Sequence, residues 1–120
     1  MLPSLSVTDL RELCARSAPG AAPASGLSAP LLLDVREPWE AALARIDIEG
    51  VASCLIPMGQ LPERLDELDR LQSIVCYCHH GMRSLQVVAF LQRQGFDSVY
   101  NLAGGIDAWS LQVDPGVPRY

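Results

Sequence analysis

The sequence predicts an α/β fold, a parallel sheet with helices on both faces. Three observations carry that expectation. Short apolar runs alternate along the chain with stretches of helical spacing. The clearest runs, Leu31-Leu32-Leu33 and Ile74-Val75-Cys76-Tyr77, are continuously apolar, as suits strands buried on both faces. Breakers stand between the elements, among them Pro57, Gly95 and the Ala103-Gly104-Gly105 turn.

Composition bounds the function. At 120 residues, 49% hydrophobic and 19% charged, the chain suits one compact domain and not a disordered segment. Its net charge of −5 argues against a nucleic-acid partner, which calls for a basic surface. No apolar run approaches the roughly 20 residues of a membrane span. Met1-Leu2-Pro3-Ser4 lacks the basic start and apolar stretch of a secretory signal. Cys14, Cys54, Cys76 and Cys78 are therefore expected as reduced thiols of a cytoplasmic protein.

In chain order, Leu5-Ser6-Val7 reads as a short edge strand. Thr8-Asp9 opens a helix with Leu10, Leu13 and Cys14 on its apolar face. Residues 18–30 hold Pro19, Gly20, Pro23, Gly26 and Pro30 and read as a long flexible loop. Leu31–Val35 is a buried strand. Pro38–Arg45 is a short helix, with proline at its first position and acids at its positive end. Asp34, Arg36 and Glu37 stand at a strand C-terminus, where α/β proteins place ligands. The preferred reading for them is an ion-pair network tying strand end to helix start.

Val51–Ile56 is the next strand, with Cys54 as packing. Leu61, Leu65, Leu68 and Leu71 recur at the spacing of a helix whose other face is charged. Ile74–Tyr77 is a strand, Leu85–Gln94 a helix ended by Gly95, and residues 99–102 a further strand. Ile106–Trp109 is a short helix with Trp109 turned to the core. The tail, residues 112–120, reads as irregular. The expectation is one domain over 1–120 with its core at about 31–111.

The chemistry concentrates in Cys78-His79-His80-Gly81-Met82-Arg83-Ser84. A cysteine stands where a strand ends and a helix begins. Helix starts leave outward-pointing N–H groups unpaired, and these favour a thiolate. Arg83 adds a fixed positive charge and a fork of donors. Gly81 permits a backbone angle or a close approach that a side chain would block. Ser84 either caps the helix or binds the donor, and His79 and His80 shape the pocket mouth.

Three reactions compete for Cys78. A metal site from Cys76, Cys78, His79 and His80 lacks the second ligand pair zinc prefers, and adjacent histidines are expected to point apart. No metal and no cofactor are therefore expected. A phosphatase would need five residues between cysteine and arginine to ring a phosphate, and here there are four. A tighter ring suits a single sulfur atom. Transfer of sulfur through a cysteine persulfide needs only the thiolate and those donors.

The loop resembles the active-site loop of single-domain rhodaneses, the thiosulfate-type sulfurtransferases. Leu32-Leu33-Asp34-Val35-Arg36-Glu37 resembles the Asp-x-Arg segment of that family, and Cys54-Leu55-Ile56-Pro57-Met58 its strand ending in Ile-Pro. Asn101-Leu102-Ala103-Gly104-Gly105-Ile106-Asp107-Ala108-Trp109 is similar to its Gly-Gly-x-x-x-Trp motif. The resemblance covers Leu31–Leu111, with a further match near Ser6–Leu13. It implies a five-stranded parallel sheet and a sulfurtransferase with Cys78 as nucleophile. It further implies that His79, His80, Gly81, Met82, Arg83 and Ser84 bind the donor, supported by Asp34 and Arg36. The donor implied is thiosulfate or a protein persulfide.

The tail from Trp109 to Tyr120 looks like the ending of rhodanese domains fused to adenylating enzymes that activate sulfur-carrier proteins. A sulfur-carrier protein or an adenylating enzyme is the partner this implies. Two departures bear on partner choice: Ala44–Gly50 replaces the usual Gly-His-Ile step, and residues 18–30 lengthen the N-terminal connection. The rival function is a non-catalytic rhodanese-like module that binds or regulates a partner, followed by phosphatase or arsenate reductase chemistry. Retention of both Cys78 and Arg83 favours the enzyme.

Overall fold

Two continuously apolar runs form the middle of the sheet. In the computed structural model, which describes residues 3–16 and 30–120, these are β2 (Leu31–Asp34) and β4 (Ile74–Tyr77). They pair in parallel, Leu33 beside Cys76. β3 (Ser53–Leu55) adds to the outer side of β2, and β5 (Val99–Leu102) to the outer side of β4. The short β1 (Ser4–Leu5) closes the far edge against β5. The order is β1-β5-β4-β2-β3, every pair parallel. This is the five-stranded parallel sheet the sequence predicts.

Successive residues of a strand face opposite sides, and the core divides accordingly. Leu33 and Cys76 pack with Val87, Val88 and Leu91 of α3 (Met82–Arg93) and with Leu61 and Leu68. Leu32 and Val75 pack on the other side with Val7, Leu10 and Cys14 of α1 (Val7–Arg16) and with Ile106 and Trp109 of α4 (Gly105–Gln112). Helices cover both faces, so the central strands are buried apart from Leu31 at the start of β2.

Several boundaries differ from expectation for local reasons. Val7 belongs to α1 rather than to an edge strand, because Ser6 caps the helix. Its hydroxyl accepts from the Asp9 N–H at 3.1 Å, and the Asp9 carboxylate accepts from the Ser6 N–H at 3.4 Å. The short helix α2 (Pro38–Leu43) ends two residues early because Ala44 is extended. α3 starts three residues early, at Met82, because Gly81 takes a left-handed conformation with φ +102°.

The leucine stripe is not an α-helix. Met58–Glu63 and Leu65–Glu67 are 3-10 turns, with Pro62 inside the first. Leu61 and Leu68 are buried, but Leu71 is 94% exposed, so the stripe fails at its last member. The expected loop at residues 18–30 lies outside the described residues except for Pro30, which is buried. Gln112 ends α4, so the irregular tail begins at Val113. Among the described residues no helix is long and apolar enough to cross a membrane.

Candidate active site

β4 is buried along its whole length and delivers Cys78 to its C-terminal end, under the start of α3. The chain then turns through His79 and His80 to Gly81. A Cβ at Gly81 would press within 3.3 Å of the Gly104 nitrogen, so the positive φ and the close approach both require glycine. The next turn, at Gly104-Gly105, clamps the loop from outside. The Ile106 N–H donates to the Cys78 carbonyl at 3.0 Å, and the Asp107 N–H to the His79 carbonyl at 3.1 Å. A side chain on Gly105 would overlap both carbonyls.

The loop and helix start aim donors at one atom. The Gly81 N–H donates to Cys78 Sγ at 3.1 Å and the Ser84 N–H at 3.4 Å. Ser84 Oγ lies 3.3 Å from the sulfur and donates to Asn101 Oδ1 on β5 at 2.5 Å. One hydroxyl proton cannot serve both acceptors at once. While it lies on Asn101, the fixed donors to sulfur are the main-chain N–H groups. Burial alone would push the Cys78 thiol up. Hydrogen bonds from the Ser84 hydroxyl and from the Ser84, Gly81 and Arg83 main chain outweigh that and hold it below its ordinary value. Burial pushes Cys76 up to about 12 and also raises Cys14 and Cys54. All four cysteines are unpaired, and Cys78 is the one whose thiolate is favoured.

The Arg83 side chain differs from expectation. Its guanidinium does not stand free in the loop. Both terminal nitrogens donate to Glu40 of α2, each at 2.7 Å. Glu40 is buried, and the Arg83 guanidinium beside it holds its carboxyl down at about 2. What Arg83 sends toward the sulfur is its main-chain N–H.

Asp34 and Arg36 form the ion pair expected of them, whereas Glu37, expected in the same network, makes no ion pair among the described residues and instead precedes α2, its N–H donating to Glu40 Oε2 at 2.9 Å. Arg36 is fully buried. Its five donors reach Asp34 Oδ1 at 2.8 Å, Asp34 Oδ2 at 2.7 Å, the Ala44 carbonyl at 2.8 Å, the Tyr120 hydroxyl at 2.9 Å and the Glu40 carbonyl at 3.4 Å. With every donor engaged, Arg36 has none to offer an anionic substrate. The Tyr120 hydroxyl donates onward to Glu40 Oε1 at 3.1 Å. A continuous chain thus runs Asp34–Arg36–Tyr120–Glu40–Arg83 and ties the end of β2 to the Cys78 loop.

His79 and His80 do not point apart. Their rings stack at 3.9 Å, and His79 also stacks on Tyr120 at 4.0 Å with the planes 9° apart. Burial and the neighbouring His80 lower the His79 pKa. Met82 lies on the rim, 72% exposed.

Three residues of this site carry no loop signal in the sequence: Glu40, Asn101 and Tyr120. Glu40 stands among helix-start acids, and Tyr120 ends a stretch that reads as irregular. Tyr120→Phe keeps the ring on His79 but removes the hydroxyl that joins Arg36 to Glu40. We expect a stability loss of about 1 kcal/mol, measured by thermal unfolding. An unchanged melting temperature would show that this bridge contributes nothing.

Comparison with known proteins follows the same lines. The family model described as a rhodanese-like domain matches residues 21–112. A sulfurtransferase of Allochromatium vinosum is 40% identical over 80 residues, which cover 67% of this chain and 71% of that protein. A probable adenylyltransferase/sulfurtransferase of Mycobacterium tuberculosis, MoeZ, is 36% identical over 90 residues, 74% of this chain but 22% of the longer protein. The chain likewise spans only 30% of a rhodanese-like/PpiC domain-containing protein of Arabidopsis thaliana. The crystal structure of a rhodanese-like domain protein from Staphylococcus aureus superposes with a TM-score of 0.75 at 27% identity, covering 99% of both chains. With the family model matched over most of this chain, and the fold shared with solved rhodanese-like structures, the chain belongs to the rhodanese-like domain family.

Proposed function

We propose that this protein is a sulfurtransferase that carries sulfane sulfur on Cys78. The observation that supports this reading is the convergence of main-chain N–H groups from Gly81, Arg83 and Ser84 on one sulfur atom. The Cys78 thiolate attacks the outer sulfur of a donor such as thiosulfate. A new S–S bond forms, the donor's own S–S bond breaks, and sulfite leaves with the electron pair. The terminal sulfur of the persulfide then lies among the N–H donors, which stabilise its negative charge. A thiophilic or protein acceptor attacks that sulfur and restores the thiolate. The step requires neither metal nor organic cofactor.

The acceptor side of the reading is a protein: a sulfur carrier or its adenylating enzyme. Two features support it. A relative joins adenylyltransferase and sulfurtransferase in its name, and Met82, Trp39 and Leu43 expose apolar surface on the loop and on α2. The reading takes residues 31–111 as the catalytic core of a single cytoplasmic domain. A non-catalytic partner-binding module is the alternative it must exclude.

Intact mass after incubation with thiosulfate tests the proposal. One added sulfur atom is expected, removed by cyanide and mapped to Cys78 by peptide analysis. Aryl phosphates should not be hydrolysed, because the ring of donors is too tight for phosphate. A chain that takes up no sulfur from thiosulfate or from a small-molecule persulfide would leave the partner-binding reading in place.

A further inference from the structure

We propose that His79, His80 and Asp107 form a binding site for a divalent transition metal of the zinc type at the mouth of the Cys78 loop. The inference stands apart from sulfur transfer, since neither the thiolate nor its donors take part in it. Two imidazoles and one carboxylate are ligands that zinc accepts, and three protein ligands leave a fourth position for water or an anion.

The geometry brings the three together. Their candidate ligand atoms all lie within 4.8 Å of one another, and His80 Nε2 is 3.8 Å from Asp107 Oδ2. That separation is too long for a hydrogen bond. Zinc–ligand bonds of about 2.0–2.1 Å in a tetrahedron put ligand atoms about 3.3 Å apart. An imidazole binds a metal in its own ring plane, so the stacked His80 ring must swing off His79 before both nitrogens and Oδ2 converge, and its 62% exposed side chain has the room to do so.

The surroundings hold the ligands as a metal site requires. The main-chain bonds from Ile106 to Cys78 and from Asp107 to His79 fix the start of α4 against the loop. Arg119 Nε donates to Asp107 Oδ1 at 2.9 Å, which orients the carboxylate and leaves Oδ2 turned to His80. The His79 ring stacks on Tyr120 and hydrogen-bonds to the Tyr120 main chain. A hydrogen bond to one ring nitrogen fixes the tautomer and leaves the other nitrogen as ligand. Two influences oppose it, the Arg119 charge beside Asp107 and the His79–His80 stack that must open. On the alternative reading Asp107 serves only that ion pair.

Cobalt(II), a zinc substitute with a visible spectrum, provides the probe. Wild-type protein and Cys78→Ser should each bind one equivalent, without the thiolate-to-cobalt charge-transfer band in the near ultraviolet, and zinc should displace it. His80→Ala and Asp107→Asn should each weaken binding by about tenfold or more. Binding that is unchanged in those two variants would overturn the site. So would binding that is lost in Cys78→Ser or that carries the thiolate band, since cysteines would then hold the metal. Absence of saturable binding to the wild type would overturn it as well.

Discussion

Cys78→Ser is expected to abolish sulfur loading and turnover, a loss of more than about 10⁴-fold, the scale seen when a nucleophile is removed. Cys54→Ser and Cys76→Ala should retain loading. Cys76 lies two residues away on the same strand, yet it is fully buried and its thiol is pushed up to about 12. At pH 7 such a thiol stays protonated. Cys78 is also covered, at 1% exposure, but it lies nearer the surface than Cys76, so burial raises it less. Hydrogen bonding widens the difference: the N–H groups of Gly81, Arg83 and Ser84 favour charge on Cys78 sulfur, and no equivalent set reaches Cys76 among the described residues. A serine hydroxyl accepts from the same N–H groups, so the fold should persist, but at neutral pH it is not a nucleophile. The check is intact mass with thiosulfate, alongside cyanide-released sulfur and circular dichroism. Loading that survives Cys78→Ser would sink the persulfide proposal.

The parts of this protein that were legible in the sequence are those set by neighbours in the chain. β2 and β4 read as strands because burial on both faces makes every residue apolar but Asp34 at the end of β2. The cysteine loop reads as a site because its nucleophile, its turn glycine and its helix start fall within seven residues. The partners that complete the site come from far away. Glu40 lies 43 positions from Arg83, and Tyr120 lies 84 from Arg36. Periodicity does not register such distances. The 58–67 segment failed differently. Its leucines have helical spacing, but Pro62 removes a donor from the first turn and the chain tightens into 3-10 geometry. For His79 and His80, adjacent side chains are expected to point apart, whereas the chain turns there and Tyr120 offers a flat face to stack on.

Glu40→Gln and Arg83→Leu should each lower stability and loading, and the pair should behave as one unit. The lowering of the Glu40 pKa from 4.5 to about 2 alone corresponds to about 3 kcal/mol. Arg83 is 37% exposed, and solvent screening brings the expected contribution to about 1–2 kcal/mol. The sign follows from the depressed carboxyl. Stability from this pair is fully present above the unfolded value of 4.5 and is lost as pH falls through about 2. Unfolding free energy measured between pH 6 and pH 2 should therefore fall less steeply in Glu40→Gln than in wild type. The double variant should be less destabilised than the sum of the singles, with a coupling of about 0.5–3 kcal/mol. For loading, Arg83→Leu should cost about 10- to 100-fold. Because the guanidinium is committed to Glu40, the cost should arise from the loop's loss of its brace. It should be the same factor for thiosulfate as for a less charged small-molecule persulfide. A loss confined to thiosulfate would show that Arg83 leaves Glu40 to meet the donor's charge, and the brace would then have to be assigned to Glu40 and Tyr120 alone.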